Sequence, residues 1–318
     1  MAEHQRAVLF HRTFDRFAGH HLKVWHYFNY VLDEPGYSPR LMLTDDSVWD
    51  ESNPWFTVPE LVMRGNRPHP ADLYFISGPV WTLIPGNQRA DAPAPVIHYI
   101  QSLRHALPDN LRYSLLENRA IRICVSEHVA EALRETGKVR GPMFTIPAAI
   151  DVADLQRRFP PVERDTDLLI AALKQPEMGR RMAPLLAAPN RKVRLLDGLV
   201  PHDDFLDAMR RAKVTLFLPA YDEGAPLPML EGMALGTFVV CPDVIGNRAY
   251  CVDGHNSFRP AYEEEQVLAA AAAALDGYDG LGTLLANAAE TVREYDLPAE
   301  RRAFLEVLHD VDRLWQEA

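Results

Sequence analysis

The stretch PAYDEGAPLPMLEGMALGTFVVCPDVIGNRAYCVDGHNSF, Pro219–Phe258, decides the fold prediction. A strand-like run, Val214–Leu218, leads into it, and a second strand-like run, Phe238–Cys241, lies inside it. Both runs are short and rich in β-branched or aromatic residues, which is typical of buried strands. The segment between them is long enough for a loop and a short helix, so the sequence predicts one unit of a parallel α/β sheet.

Two carboxylates stand in this connection, Glu223 in the predicted loop and Glu231 in the predicted helix. The helix should begin near Pro226, because proline is tolerated in the first turn, and end at Gly236. The N–H groups at its start and the positive end of its dipole favour phosphate. Glu231 can accept hydrogen bonds from ribose hydroxyls and Glu223 from a sugar, although the spacing alone also fits two solvated surface acids. The segment suits a nucleotide sugar.

Composition narrows the class of protein. The chain has 318 residues, which predicts two domains of ordinary size, and 47% of them are hydrophobic, enough for two cores. Asp and Glu number 44 against 33 Lys and Arg, so the net charge is -11. This charge argues against nucleic acid and against an anionic membrane as the main partner.

The location predicted from the sequence is the cytoplasm. The opening residues MAEHQRAVLFHR lack the apolar core of a signal peptide, and no run is long enough to span a membrane. Cys124, Cys241 and Cys251 fit a reducing compartment, with a Cys241–Cys251 bridge as the alternative, and their spacing matches no zinc site.

Strand-like and helix-like runs alternate along both halves of the chain, which predicts two doubly wound parallel sheets with ligands at the carboxyl ends of the strands. Residues 45–70 read as irregular loop, and residues 151–165 read as a linker without a strong pattern. We expect an N-terminal domain over 1–150, a C-terminal domain over 151–297 and a final helix over 298–318. The strands are predicted at 7–11, 40–43, 73–76, 96–100, 121–125, 143–146, 167–172, 192–196, 214–218 and 238–241.

The central segment resembles the donor site of retaining GT-B glycosyltransferases, specifically glycosyltransferase family 4. The resemblance implies a GT-B fold: two Rossmann-like domains that face a cleft, with the last helix crossing back onto the N-terminal domain. The residues that match the family pattern are Pro219, Glu223-Gly224, Leu227-Pro228, Leu230-Glu231, Met233-Ala234, Gly236-Thr237, Val239-Val240 and Asp253-Gly254.

The resemblance also implies roles for individual residues. Glu223 would face the donor sugar and Glu231 the ribose. The amides of Gly224, Ala225, Pro226 and Leu227 form the loop that would hold the sugar and the distal phosphate. Gly198 and Leu199 would flank the base, and Gly19, in the first strand–helix turn, would approach the diphosphate or the acceptor.

The cations expected beside the diphosphate are displaced in this chain. The family places an Arg and a Lys after the first strand of the second domain, and these positions hold Leu173 and Met178. Lys174 and Arg180 lie one or two residues away and are the candidates to replace them, because a basic side chain at a strand end can face phosphate. Gln101 stands where the family often has His, and it can hydrogen-bond a sugar hydroxyl but cannot exchange protons.

The sequence therefore predicts a metal-independent hexosyltransferase with no cofactor, using a nucleoside diphosphate sugar and a hydroxyl-bearing acceptor. Glu223, Lys174 and Gln101 are the predicted catalytic residues. The alternatives are a GT-B sugar-nucleotide epimerase and a non-catalytic sugar-nucleotide-binding subunit, the latter because Leu173 and Met178 break the phosphate-binding pattern. The donor sugar, the base, the acceptor and the oligomeric state cannot be read from the sequence.

Overall fold

The computed structural model describes residues 5–318, which divide into two units. One unit comprises the chain up to Ala148 together with Glu300–Ala318, and the other comprises Ala149–Ala299. The first four residues of the predicted N-terminal domain lie outside the described residues. Among the described residues, no helix is both long and apolar enough to cross a membrane.

Eleven strands and ten α-helices make up the described chain, with short 3-10 turns between them. The strands are β1 (Arg6–Arg12), β2 (Tyr37–Leu43), β3 (Val62–Arg64), β4 (Leu73–Ser77), β5 (Val96–Ile100), β6 (Ile121–Cys124), β7 (Met143–Thr145), β8 (Thr166–Ala171), β9 (Val193–Leu196), β10 (Ala212–Phe217) and β11 (Phe238–Val240). The helices are α1 (Gly19–Leu32), α2 (Glu127–Glu135), α3 (Val152–Arg158), α4 (Pro176–Leu186), α5 (His202–Arg211), α6 (Leu227–Ala234), α7 (Glu264–Asp276), α8 (Gly282–Glu294), α9 (Leu297–His309) and α10 (Val311–Gln316).

The first unit is built on a seven-stranded sheet in the order β3-β2-β1-β4-β5-β6-β7. Every neighbouring pair is parallel. The chain adds strands outward from β1 to β3 and then returns to place β4 on the other side of β1. The direction of growth therefore reverses between β1 and β4, and this is where a parallel α/β sheet opens a crevice at its carboxyl edge.

Aromatic packing joins the first unit's sheet to its helices. The ring of Phe10 in β1 lies 5.2 Å from that of Phe28 in α1 and 4.6 Å from that of Phe75 in β4. Phe304 of α9 meets Tyr27 of α1 edge-on, with ring centroids 4.8 Å apart. These contacts bring the end of the chain onto its first helix within one core.

A buried ion pair reinforces the same junction. Lys23 of α1 donates to a carboxylate oxygen of Glu300 in α9 at 2.5 Å, and both side chains are almost fully buried. The hydroxyl of Tyr30 donates to the same oxygen at 2.8 Å. Burial lowers the pKa of Lys23, while Glu300 opposes that shift. Because each buried charge depends on the other, losing one partner should be costly.

The second unit has a four-stranded parallel sheet in the order β11-β10-β8-β9. Alternate residues of β8 and β10, such as Ile170 and Leu216, pack with Met182 of α4 and Ala271 of α7. The chain first grows from β8 to β9 and then crosses to place β10 on the other side of β8. A second switch point therefore lies between β8 and β10.

The structure departs from the sequence prediction in three segments. The region 45–70, predicted as irregular, contains β3, which adds an edge strand beside β2. The predicted linker contains α3, whose first turn is capped by the Asp151 side chain accepting from the Asp154 N–H at 2.8 Å. The final helix is interrupted at Asp310 and forms α9 and α10. Pairing with β2 accounts for β3, and the Asp151 cap accounts for the start of α3. Neither segment has the extended hydrophobic periodicity by which a sequence predicts a strand or a helix.

We predict that Glu300→Gln lowers the free energy of unfolding of the first unit by about 3–5 kcal/mol, because it removes the counter-charge that Glu300 gives to the buried Lys23 ammonium. The double variant Lys23→Met/Glu300→Leu should recover much of this loss. Equilibrium denaturation in urea measures both. Arg313→Ala, which removes exposed ion pairs to Asp310 and Glu317, is the control and should leave the midpoint unchanged. A single variant as stable as the parent would contradict the role given to the buried pair.

Candidate functional site

Two loops leave the second unit's sheet at its switch point, and they carry two of the predicted site residues. The loop after β8 holds Lys174, and the loop after β10 holds Glu223. Because β8 and β10 are hydrogen-bonded neighbours, with Ala171 opposite Phe217, the loops leave side by side. Lys174 Nζ lies 3.2 Å from Glu223 Oε1. The structure thus brings together two residues that are 49 positions apart.

The Lys174–Glu223 pair is accessible. The Lys174 side chain is 61% exposed and that of Glu223 is 24% exposed. An ion pair this open to water contributes little to stability, at most about 1 kcal/mol. Each partner can therefore turn toward a ligand at small cost, the ammonium toward an anion and the carboxylate toward hydroxyl groups.

Backbone contacts hold the loop that carries Glu223. Tyr250, which is buried, donates its hydroxyl to the carbonyl of Pro226 at 2.7 Å. Tyr262 donates to the carbonyl of Pro219 at 2.5 Å. The two tyrosines fix both ends of the loop, so the fold determines the backbone path on either side of Glu223.

Gly246 touches the middle of the same loop. A Cβ atom at this position would stand 2.2 Å from the Glu223 carbonyl oxygen and 2.8 Å from the Gly224 carbonyl carbon. The turn that presents Gly246 is closed by Asn247, whose side chain accepts from the Val244 N–H at 3.3 Å. Only glycine allows this approach.

The helix that follows the loop begins as predicted. Helix α6 starts at Leu227, with Pro226 at its N-cap and no side-chain cap. Gly236, at φ +73°, follows the helix. Pro226 has no N–H, so the amides that this loop can offer to a phosphate are those of Gly224, Ala225 and Leu227, and Pro226 contributes shape only.

Glu231, the second predicted carboxylate, is 4% exposed and has a partner that the sequence analysis missed. Nε2 of His202, the first residue of α5, lies 2.9 Å from Glu231 Oε1. Since the carboxylate accepts, the proton of this bond is on Nε2. Burial alone would lower the pKa of His202, but Glu231, assisted by Asp203, raises it above its ordinary value, and Arg158 opposes them.

Arg180 lies in α4 and engages two carboxylates. Its Nε donates to Asp197 at 2.6 Å and its Nη1 to Glu177 at 2.6 Å. Asp197 immediately precedes Gly198 and Leu199, the residues predicted to flank a base, and Leu199 is 70% exposed. Arg180 therefore ties α4 to that loop, and a phosphate would have to compete with both acids for it.

In the first unit, Gln101 is bonded to the turn in which Gly19 begins α1. Gly19 begins α1, whose N-cap, Ala18, supplies no side-chain bond. Gln101 follows β5 and donates through Nε2 to Ser77 Oγ at 3.1 Å and to the His20 carbonyl at 3.2 Å. These bonds hold the amide of Gln101 against the turn that Gly19 opens.

Arg12, at the end of β1, organises the same turn. The buried guanidinium donates to His21 Nδ1 at 3.1 Å and to Ser77 Oγ at 3.1 Å. His21 therefore carries its proton on Nε2, which faces Asp15 Oδ1 at 3.2 Å. Burial, reinforced by Arg12, lowers the pKa of His21 to about 4. Of the two adjacent histidines, His21 points inward and His20 is exposed.

Asp15, His20 and His21 also form a cluster of possible metal ligands in the described chain, with their ligand atoms within 4.8 Å of one another. Both ring nitrogens of His21 are already engaged, one by the cation Arg12. The cluster as it stands does not fit a cation, and we assign none to it.

The residues that sequence reasoning missed are His202, Arg12 and Ser77. For His202 the sequence offers one sign of a functional role, since the residue lies directly after the loop that follows β9. Arg12 and Ser77 end strands, but only the strand order shows that they are neighbours.

Residues 146–276 match the model of the family described as "Glycosyl transferases group 1". The matched range contains Lys174, Glu223, Glu231 and His202. The second unit therefore carries a domain of this type, and the prediction of a glycosyltransferase is confirmed. None of the curated proteins compared with the chain matches it.

Solved structures with similar folds cover nearly the whole chain. Sucrose-phosphate synthase from Thermosynechococcus elongatus superposes with a TM-score of 0.71 at 13% identity, covering 97% of this chain and 100% of its own. HepE from Anabaena, in complex with UDP, gives 0.73 at 13% identity, covering 96% and 100%. A glycosyltransferase from Rickettsia africae gives 0.68 at 12% identity, covering 96% and 98%. At these identities the likeness shows the fold, and the predicted GT-B fold with two parallel α/β units is confirmed.

We predict that Gly246→Ala abolishes or strongly weakens ligand binding at the second unit's switch point. The methyl group of alanine would overlap the backbone of Glu223 and Gly224, so this backbone would have to move. Isothermal titration calorimetry with UDP and UDP-glucose measures the effect. Gly280→Ala, in the same unit and with open space around the added Cβ, is the matched control. Equal affinities in both variants would show that the loop is not part of the binding site.

Proposed function

We propose that the protein is a retaining glycosyltransferase of family 4 that transfers a hexose from a nucleoside diphosphate sugar to a hydroxyl-bearing acceptor. The observation that carries the proposal is the accessible pair of Lys174 and Glu223 at the switch point of the second unit. It joins a cation suited to phosphate and a carboxylate suited to sugar hydroxyls where α/β sheets bind ligands.

In this proposal each charged group has its own part of the donor. Lys174 and the amides at the start of α6 bind the diphosphate, Glu223 accepts from the sugar, and Glu231 accepts from the ribose. During transfer the bond from the anomeric carbon to the diphosphate breaks, and a bond to the acceptor oxygen forms on the same face. The acceptor proton passes to the departing phosphate. Negative charge grows on that phosphate, so Lys174 stabilises the transition state.

Gln101 is compatible with this chemistry because the proton goes to the donor itself. Its Nε2 is occupied by Ser77 and the His20 carbonyl, which orients Oε1 to accept from a sugar hydroxyl. We propose that Gln101 orients a hydroxyl group and transfers no proton. Gly19 would contribute the backbone at the same turn.

Lys174 is the better of the two candidate cations for the phosphate. Among residues 5–318, the carboxylate that pairs with Lys174 is Glu223, itself a proposed ligand group, whereas Arg180 is held by Asp197 and Glu177. We therefore propose that Arg180 supports the loop of Gly198 and Leu199 and that Lys174 contacts the diphosphate.

Uridine is the first base to test. The solved structures of HepE include complexes described as containing UDP and UDP-glucose. The proposal requires no metal and no cofactor. We also propose a cytoplasmic location, which the three free, buried cysteines support.

A sugar-nucleotide-binding subunit without activity is the second candidate. The family's phosphate-binding Lys position is occupied by Met178, which is buried in the core of the second unit. One cation, Lys174, would then have to act where the family has two. Such a subunit would bind the donor without turning it over.

We predict that Lys174→Met lowers the affinity for UDP by about tenfold, the effect of losing one charge-assisted bond to phosphate. Arg180→Met should have a smaller effect, and Glu223→Gln should reduce sugar turnover more than UDP binding. Calorimetry gives the affinities, and release of UDP from UDP-sugars gives the turnover.

Three results bear on the choice between the candidates. Donor binding without turnover of any of a panel of sugars and acceptors supports the subunit. Release of a free epimerised sugar without an acceptor supports an epimerase. Lys174→Met with unchanged affinity, while Arg180→Met loses binding, would contradict the assignment of the phosphate cation.

A further inference from the structure

Glu231 is a buried carboxylate whose position is set by a residue on another helix. Its Oε1 lies 2.9 Å from Nε2 of His202, and the side chain of Glu231 is only 6% exposed. A carboxylate at this depth is strongly disfavoured unless a donor compensates for the water it has lost. His202 is the donor that the structure provides.

The location of His202 links two parts of the proposed nucleotide site. His202 is the first residue of α5, and it follows the loop that begins with Asp197 and contains Gly198 and Leu199. Its ring bonds to α6, the helix that presents Glu231. One side chain therefore connects the loop proposed to flank the base with the carboxylate proposed to bind the ribose.

The charges around His202 keep the bond in one direction. Asp203 is next to it on α5, and Arg158 of α3 pairs with Asp203. Glu231 faces it from α6. Whether the ring is neutral with its proton on Nε2 or doubly protonated, Nε2 donates to Oε1. The orientation of the carboxylate is therefore maintained in both states.

We propose that His202 is a positioning residue for ribose recognition: it fixes Oε1 of Glu231 so that Oε2 accepts from the vicinal hydroxyls of a nucleoside diphosphate. This inference rests on the proposed function and adds to it a determinant of specificity for the ribose of the nucleotide. A carboxylate that is free to rotate would lose part of its bond to the ribose, because fixing it on binding costs conformational entropy. The site then distinguishes ribonucleotides from 2′-deoxyribonucleotides, since only the former present both hydroxyls.

A purely structural role makes a different prediction. If the bond only holds α5 against α6, breaking it would disturb the whole site, and affinity would fall equally with and without the 2′-hydroxyl. If His202 orients Glu231, the loss is confined to ligands that carry the 2′-hydroxyl. The ratio of the two affinities separates these roles.

The test is calorimetric titration of the full chain with UDP, GDP and ADP, followed by the 2′-deoxy form of the tightest binder. We expect the parent to prefer the ribonucleotide. In His202→Ala the affinity for the ribonucleotide should fall about tenfold, while that for the deoxy form changes less than about twofold. Glu231→Ala should remove the same preference, and His202→Ala/Glu231→Ala should lose no more than Glu231→Ala alone.

Two further variants protect the test against misfolding. His202→Gln retains a donor that can reach Oε1, and His202→Asn is too short to reach it, so the first should keep most of the preference and the second should lose it. His255→Ala, which alters an exposed histidine of the same unit that contacts Asn287, is the control and should leave the preference intact.

The outcomes separate this inference from the proposed function. An unchanged ratio in His202→Ala or His202→Asn, with the parent preferring the ribonucleotide, overturns the role of His202 and leaves the proposed function standing. An equal loss for both forms overturns it too. A parent protein that binds none of the three nucleotides overturns both.

Discussion

The order of four strands is the constraint on which the candidate site depends. Because β10 lies beside β8 rather than beside β9, the loops after β8 and β10 leave the sheet as neighbours. Lys174 and Glu223 contact each other there, although neither loop has a sequence pattern that predicts this contact. The register of β8 and β10 therefore places the two residues side by side, at the carboxyl edge where parallel sheets bind ligands.

Two close approaches convert this topology into a defined geometry. Gly246 packs directly against the carbonyl groups of Glu223 and Gly224, and the buried hydroxyl of Tyr250 donates to the carbonyl of Pro226. Both act on the backbone, so they determine where the loop lies without specifying which side chain it presents. A site of this construction can change ligands by changing loop residues while the support stays constant, which is consistent with the wide range of functions found on such folds.

The sequence predicted those features that depend on local rules, and it missed those that depend on strand order. The start of α6 and its end before Gly236 follow from proline and glycine chemistry, and both are confirmed. The strands of both sheets follow from buried apolar runs. By contrast, His202 became a partner of Glu231 only through the packing of α5 on α6, and nothing in its own neighbourhood indicates an acid 29 residues away. Lys174 was named as a candidate, but its contact with Glu223 required the β8–β10 pairing.

Two Lys–Glu pairs in this chain show how exposure to solvent determines the role of an ion pair. Lys23 and Glu300 are almost fully buried, so separating them would leave each charge without the other inside the protein. The pair therefore holds α1 and α9 together. Lys174 and Glu223 form a longer pair, 3.2 Å against 2.5 Å, and both of their side chains are accessible to solvent. Water lowers the cost of parting them, so each can exchange its partner for a ligand group of matching charge. A binding site needs the second kind of pair, because a cation that could not leave its carboxylate could not bind phosphate.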